Sequence, residues 1–196
     1  MIKSYADYKK YLKADLRSQG KSLGLKRFVF DPLVRFTFLL RFNEYLLNTK
    51  KPAFLRFFWL VWFKRLSVKL SFSIPFNVFD AGVAFVHYGQ LIINPKAQIG
   101  KNCRIHNGVN LGGYSGMANT FKNESIQPTR IGDNCYIGPG VKIIGGVSIA
   151  SNTVIGANCV VSKSFAEENI TIAGVPGKIL STSGSDGFLI KGAEFD

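Results

Sequence analysis

Cysteine is scarce in this 196-residue sequence, and its three copies, Cys103, Cys135 and Cys159, are far apart. Each stands two positions before an aliphatic residue, in a slot that suits a small buried side chain. An odd number of widely spaced thiols provides neither a disulfide framework nor a zinc-binding pattern. We therefore expect buried free thiols in a reducing cytoplasm, with no bound metal and no catalytic cysteine.

Long apolar runs and acidic residues are also in short supply. A run such as Phe57–Phe63 is far shorter than the ~18 residues that a membrane-spanning helix needs. The polar N-terminus gives no sign of a signal peptide. Lys and Arg number 25 against 12 Asp and Glu, and residues 1–70 alone hold 16 basic and 4 acidic residues. The positive charge therefore belongs to the N-terminal third of the chain.

Residues 1–72 form a basic, aromatic-rich segment whose spacing predicts helices. Asp31 followed by Pro32 is typical of a helix start, and the ranges 34–47 and 54–70 mix large apolar residues with Lys and Arg. Such helices could lie on an anionic membrane surface, or they could pack on one another and on a neighbouring subunit. No recognition motif for nucleic acid is present, so we predict no nucleic-acid partner.

Beyond this segment, an aliphatic residue returns at every sixth position, with one interruption. A period of six fits neither an α-helix nor a simple strand, so it indicates an internal repeat. The positions are Ile93, Ile99, Ile105 and Leu111, then Ile131, Ile137, Ile143, Ile149, Ile155 and Val161.

One six-residue unit can form a short strand and a turn, but it cannot bury its aliphatic side chain alone. Stacking the units into coils builds a column of Ile and Val, with small residues at the corners. Asparagine tolerates the left-handed backbone that such turns need. The predicted turn asparagines are Asn102, Asn107, Asn134, Asn152 and Asn158.

Several segments make the sequence resemble the hexapeptide-repeat acyltransferases, most closely their serine acetyltransferase branch. They are His87–Gly89, Ile105–Gly113, Ile137–Gly140, Ile155–Asn158 and Ala173–Lys178. The resemblance covers roughly residues 73–180. The basic N-terminal segment ahead of this core further resembles acetyltransferases of bacterial capsule and O-antigen gene clusters.

This resemblance implies a mainly β fold, a left-handed parallel β-helix of hexapeptide repeats with an N-terminal α-helical segment. We expect the helical segment at residues 1–72 and the acetyltransferase domain at 73–180. A loop at 113–128 interrupts the repeats, and residues 181–196 form a C-terminal tail or cap.

The sequence has only two histidines, His87 and His106. Imidazole can take the proton from an attacking hydroxyl near neutral pH, so both are catalytic candidates. The resemblance places His87 on the family's catalytic histidine. His106 lies one 18-residue coil plus one position after His87, so we expect the two rings to be neighbours on adjacent coils. His106 could orient the acceptor or act as the base itself.

Two departures from the serine branch bear on the acceptor. The aspartate that supports the family's catalytic histidine is replaced by Phe72, which leaves Asp80 as a candidate orienting acid. The Arg-His pair that binds the carboxylate of serine corresponds to Ile126 and Gln127, just before Pro128. A neutral glutamine suits a sugar hydroxyl better than an amino-acid carboxylate.

The loop and the edges of the coils supply further candidate contacts. Loops extruded from a rigid scaffold often carry binding groups, so the loop residues Tyr114, Asn119 and Lys122 are substrate-binding candidates together with Gln127. The resemblance places the pantetheine arm of acetyl-CoA along Gly113, Pro139 and Ala157. Polar or basic groups for its phosphates are Ser162, Lys163 and Lys178. Backbone amides at Gly112 or Gly113 could stabilise the oxyanion.

We therefore expect an acetyl-CoA-dependent O-acetyltransferase that acts by general-base catalysis without a covalent intermediate. The expected acceptor is a sugar hydroxyl of a bacterial surface polysaccharide or its precursor. The alternatives are serine O-acetylation in cysteine biosynthesis, N-acetylation of an amino sugar, and a non-catalytic repeat scaffold. The resemblance also implies a homotrimer with active sites between subunits. We expect the protein in the cytoplasm, with contact at the inner face of the membrane as an option.

Overall fold

The computed structural model describes residues 1–113 and 127–193, and within these ranges it has four α-helices followed by a β-helix. The helices are α1 (Tyr5–Ser18), α2 (Leu25–Phe30), α3 (Pro32–Asn48) and α4 (Ala53–Leu70). The strands are β1 (Phe72–Ser73), β2 (Ala84–Phe85), β3 (Leu91–Ile93), β4 (Gln98–Ile99), β5 (Arg104–Ile105), β6 (Asn110–Gly112), β7 (Arg130–Ile131), β8 (Tyr136–Ile137), β9 (Lys142–Ile144), β10 (Ser148–Ile149), β11 (Val154–Ile155), β12 (Val160–Val161), β13 (Thr171–Ala173) and β14 (Lys178–Ser181). A 3₁₀ turn spans Asp186–Phe188.

The strands form three parallel sheets, which are the faces of a three-sided coil. Face I has the order β1-β3-β6-β9-β12, face II the order β4-β7-β10, and face III the order β2-β5-β8-β11-β13-β14. Among the strands in the described ranges, only β13 and β14 pair antiparallel. In each coil the chain passes from face III to face I and then to face II. Each coil therefore has three edges, one between each pair of neighbouring faces.

The aliphatic positions of the repeat line the inside of this coil, as the six-residue period predicts. Ile105, Ile137 and Ile155 are direct partners across adjacent strands of face III, and Ile93, Leu111 and Ile143 are partners on face I. All ten predicted positions are buried. The predicted burial of Cys103, Cys135 and Cys159 is also confirmed. The repeat pattern alone therefore identified the aliphatic column inside the β-helix.

Asparagine side chains stabilise one series of turns. Asn102, Asn134, Asn152 and Asn158 have φ between 54° and 58°, the left-handed conformation predicted for them. The Asn102 amide donates to Asn134, and the Asn134 amide donates to Asn152, each at 3.0 Å. The same prediction for Asn107 was wrong. The next residue, Gly108, takes the left-handed position with φ 76°, because glycine has no Cβ that opposes it.

Helix α3 is the centre of the helical segment and contacts the other three helices. It begins as the sequence predicts, since Pro32 is its first residue and the Asp31 carboxylate accepts from the Leu33 and Val34 amides. No α-helix within the described ranges combines the length and apolar character needed to span a bilayer.

A buried ion cluster joins α3 to the first coil of the β-helix. The Arg41 guanidinium is fully buried and donates to the Asp15 carboxylate at 2.7 and 3.3 Å and to Glu44 at 2.9 Å. It also donates to the carbonyls of Phe79 and Asp80, at 3.0 and 2.8 Å. These carbonyls belong to the segment that leads into β2, so one side chain fixes helix against coil.

Asp15 completes the junction from α1. Its carboxylate accepts from the Gly82 and Val83 amides, at 2.7 and 3.0 Å. The helices thus provide partners for backbone groups at the open end of the β-helix, where no preceding coil can bond them.

The C-terminal segment returns along the outside of face III. Ser185 is buried, and its hydroxyl donates to the Asn134 carbonyl. The Phe188 ring packs on Tyr136 with centroids 5.0 Å apart, and the Gly192 amide donates to the Ser18 hydroxyl of α1 at 2.9 Å. Residues 181–193 therefore connect the far coils with the helical segment.

Replacing Arg41 by alanine should lower the free energy of unfolding by about 3–5 kcal/mol, because Asp15 and Glu44 would remain buried without a cation. Chemical denaturation measures the change. Lys21→Ala is the matched control, since its ion pair with Asp31 is partly exposed. That loss should stay below about 1 kcal/mol. Equal losses in the two variants would contradict the assignment.

Gly100→Ala should lower the free energy of unfolding by about 1–3 kcal/mol, as other overpacking substitutions do. A Cβ there would lie 2.7 Å from the Gly132 carbonyl carbon and 2.8 Å from the Asp133 nitrogen, both backbone atoms of the next coil. A Cβ at Gly24 meets nothing within 4 Å, so Gly24→Ala is the control. Thermal unfolding of both variants tests the spacing of the coils, and a harmless Gly100→Ala would refute it.

Candidate active site

Both histidines lie on the edge between face III and face I, hereafter the histidine edge. His87 follows β2 and His106 follows β5, and these strands are direct neighbours on face III. The ring centroids are 6.0 Å apart. The prediction that the two imidazoles are neighbours on adjacent coils is therefore confirmed. His87 is exposed, whereas His106 is half-buried.

The environment of His106 keeps its imidazole neutral. Its Nε2 atom is buried and has no hydrogen-bond partner among residues 1–113 and 127–193. Burial lowers the pKa of His106 below its ordinary 6.5, and the nearby charges of Arg104 and His87 lower it further. A neutral imidazole with an unpartnered nitrogen can accept a proton or a hydrogen bond, as a general base or orienting group must.

Sequence reasoning missed two aromatic residues beside this pair. The Tyr136 ring lies 5.0 Å from the His106 ring, and the Phe188 ring lies at the same distance from Tyr136. Tyr136 could have been found, because its strand pairs with Arg104–Ile105 and so its side chain lies beside the turn of His106. Phe188 carried no such signal, since it lies outside the repeats.

The proposal of Asp80 as the acid that orients His87 was wrong. The Asp80 carboxylate accepts from the Tyr11 hydroxyl at 2.7 Å and from the Ala81 amide at 2.8 Å. Asp80 precedes β2 and His87 follows it, so they lie at opposite ends of the same strand. Phe72, which stands where the resemblance implies an aspartate, is buried and packs against Phe36 and Phe85.

Two of the predicted acetyl-CoA contacts continue the histidine edge. Pro139 and Ala157 occupy this edge on the next two coils, and both are exposed. The backbone N–H of Asn158 donates to the Pro139 carbonyl at 2.8 Å, which holds the two turns close together. Flat or small residues in this row leave room for a thin chain running along the backbone. The observed edge therefore fits the pantetheine arm.

The predicted phosphate contacts lie farther along the β-helix. Lys163 and Lys178 line one open cleft of about 310 Å³ near its C-terminal end. Ser162 is exposed and directly precedes Lys163. Two cations at one cleft suit the phosphates of a nucleotide.

Gly112, Gly113 and Gln127 lie on a different edge, between face I and face II. The Gly145 amide donates to the Gly112 carbonyl at 3.2 Å, and a Cβ on Gly113 would meet the Asn94 side chain. One subunit therefore does not bring these residues to its own histidines. Tyr114, Asn119, Lys122 and Ile126 lie outside the described residues.

Comparison with known proteins identifies the repeat. Residues 128–163 match the family model described as bacterial transferase hexapeptide (six repeats). These residues carry the hexapeptide repeat, and the chain is similar to serine acetyltransferases.

Curated relatives include the serine acetyltransferases of Staphylococcus aureus strain N315, 38% identical, and Staphylococcus epidermidis strain ATCC 12228, 39% identical, each over 101 residues. The match covers 51% of this chain and 44% of each relative. The chain thus spans less than half the length of the curated relatives it matches. These relatives do not support the narrower resemblance to polysaccharide acetyltransferases.

Solved structures show the same fold. Serine acetyltransferase from Brucella abortus strain S19 superimposes with a TM-score of 0.69 at 23% identity, covering 92% of this chain and 71% of that one. The soybean serine acetyltransferase complexed with serine gives 0.68 at 21% identity, covering 89% and 70%. The predicted left-handed β-helix with N-terminal helices is confirmed.

An NMR titration tests the electrostatics of the pair, since only two histidine ring signals are expected. His106 should titrate below pH 6.5, because burial and nearby positive charge disfavour its protonated form. His87→Asn and His106→Asn assign the two signals. A His106 signal that titrates at or above 6.5 would show that the ring is not held in this environment.

Proposed function

We propose that this protein is an acetyl-CoA-dependent O-acetyltransferase. The observation that carries the proposal is the imidazole pair at the start of an open edge of a hexapeptide-repeat β-helix similar to that of serine acetyltransferases. The similar Brucella abortus enzyme has been solved in complex with coenzyme A, with a TM-score of 0.66 at 21% identity.

In the proposed reaction His87 takes the proton from the acceptor hydroxyl as its oxygen attacks the thioester carbonyl of acetyl-CoA. The new C–O bond forms, the C–S bond breaks, and the imidazolium returns the proton to the departing thiolate. A base placed in this way contributes about 10²- to 10⁴-fold to the rate. His106 lies beside it as a second, neutral imidazole that can hold the acceptor hydroxyl.

A homotrimer would complete this site. The histidines lie on one edge of the coil, whereas Gly112, Gly113 and Gln127 lie on another. Three copies packed around an axis can place the histidine edge of one subunit beside the glycine edge of the next. The amide of Gly112 or Gly113 would then stabilise the oxyanion for the neighbouring subunit's base.

We propose a sugar hydroxyl, of a bacterial surface polysaccharide or its precursor, as the acceptor. This rests on departures from the serine branch at two kinds of position, the one that supports its catalytic histidine and the ones that bind the carboxylate of serine. Phe72 replaces an aspartate and is buried in an aromatic cluster, and Gln127 offers no cation for a carboxylate. An ion pair lost from such a site weakens binding strongly.

L-serine is the second candidate acceptor, because the curated relatives are named serine acetyltransferases. Their similarity covers half of this chain, so the name supports the acetyl donor and the fold more directly than the acceptor.

Thiol release from acetyl-CoA by the purified protein tests the proposal, with L-serine and a panel of sugars as acceptors. His87→Ala should lower kcat by about 10²- to 10⁴-fold and leave the Kd for CoA, measured by calorimetry, within about twofold. Gln98→Ala on face II is the control and should keep full activity. His106→Asn is measured beside them, and a larger loss there would make His106 the base.

The acceptor panel separates the remaining alternatives. Release with sugars alone supports the proposed acceptor, and efficient release with L-serine would replace it while keeping the acetyltransferase. If the protein neither binds CoA nor turns over acetyl-CoA with any acceptor, the proposal is overturned and a non-catalytic scaffold is favoured.

A further inference from the structure

Helix α4 presents a row of large aromatic side chains to solvent. Phe54, Phe57 and Trp62 are 77%, 68% and 48% exposed, and Phe58 is also exposed. Their spacing places them along one side of the helix, and the Phe58 and Trp62 rings lie 6.0 Å apart. We call this row the α4 surface. Exposed apolar rows of this size usually mark an interaction site.

The stretch of sequence that contains α4 carries charge of a single sign. Residues 45–79 contain six Lys and Arg and no Asp or Glu. Lys64, Arg65 and Lys69 are exposed on the C-terminal half of the same helix. A partner for this surface must therefore be both apolar and negatively charged.

A groove beside the aromatic row is lined by apolar side chains and by Arg56. Asn43 and Leu47 of α3, Arg56 and Leu60 of α4, and Phe76 line this space of about 260 Å³. The Arg56 Nε atom is buried and has no hydrogen-bond partner among the described residues. Nε itself is closed to solvent, but the Arg56 side chain as a whole is partly exposed, so its guanidinium could pair with a phosphate while an apolar chain fills the groove.

Helix α2 adds exposed apolar residues next to the same region. Leu25 and Phe30 are exposed at its two ends. The Phe38 ring of α3 contacts Phe28 of α2 at 5.3 Å and Trp59 of α4 at 6.2 Å. The two helices therefore flank the same part of α3.

We propose that the α4 surface docks on a bilayer that contains anionic phospholipids, with the aromatic row at the headgroup boundary and Arg56 bound to a lipid phosphate. Basic helices with Phe and Trp on an apolar side bind such interfaces. A symmetric contact with a second copy is disfavoured, because it would place basic residues against basic residues without acidic partners.

The test uses the full-length protein and vesicles of phosphatidylcholine, alone or mixed with phosphatidylglycerol. We expect sedimentation with the mixed vesicles, weaker binding at high salt, and little binding to phosphatidylcholine alone. The sequence has two tryptophans, so Trp59→Phe leaves Trp62 as the only reporter. Its emission should shift to shorter wavelength on binding, and brominated lipid should quench it.

Three variants separate the contributions. Phe57→Ser with Trp62→Ser should weaken binding about tenfold or more, because less apolar area enters the interface. Lys64→Gln with Lys69→Gln should weaken it about 30-fold, at about 1 kcal/mol for each charge. Lys96→Gln with Lys101→Gln removes the same charge from the β-helix and should have little effect. Circular dichroism checks that each variant is folded.

Two results would overturn the proposal. One is equal binding of all variants, or equal binding to neutral and anionic vesicles. The other is a failure of the unmodified protein to bind vesicles, combined with a lower molecular mass in solution of the Phe57→Ser, Trp62→Ser double variant than of the unmodified protein. That result would make the α4 surface a contact between copies. Acetyl transfer to a soluble acceptor does not depend on this surface, so the two proposals fail independently.

Discussion

The stacking of one coil on the next is the constraint on which the rest of this structure depends. Each six-residue unit buries one aliphatic side chain, and only the neighbouring coils give it partners. Ile105, Ile137 and Ile155 are in register across face III, and the backbone hydrogen bonds between their strands hold that register. Every group at an edge therefore repeats at a fixed spacing along the β-helix. This places the two histidines, Pro139 and Ala157 in one row.

A stack of coils has an open end on each side, and the helical segment covers the end at the first coil. Asp15 and Arg41 bond backbone amides and carbonyls of the first coil, on both sides of the turn at residues 79–83. Burial of three charged side chains is tolerated there because each has several polar partners. The same helices carry the excess positive charge of the chain. Their inner faces thus serve stability, while the outer side of α4 exposes its aromatic row to solvent.

Features that repeat along the β-helix could be predicted from the sequence. The six-residue spacing located the aliphatic column of the β-helix, the turn asparagines except Asn107, and the proximity of His87 and His106. It failed where contacts depend on segments outside the repeat. Asp80 looked available to a histidine, but Tyr11 of α1 engages it, and nothing in the repeat encodes that contact. Phe188 reaches Tyr136 only because the chain reverses at β14, which no period predicts.

The most direct test of the central claim is a crystal structure of the protein with coenzyme A. We predict that the thiol lies beside His87 and His106, that the pantetheine arm passes Pro139 and Ala157, and that the phosphates lie near Lys163 and Lys178. The glycine edge of a second copy should face the same thiol. Coenzyme A bound away from the histidine edge, with both imidazoles distant from the sulfur, would contradict the account.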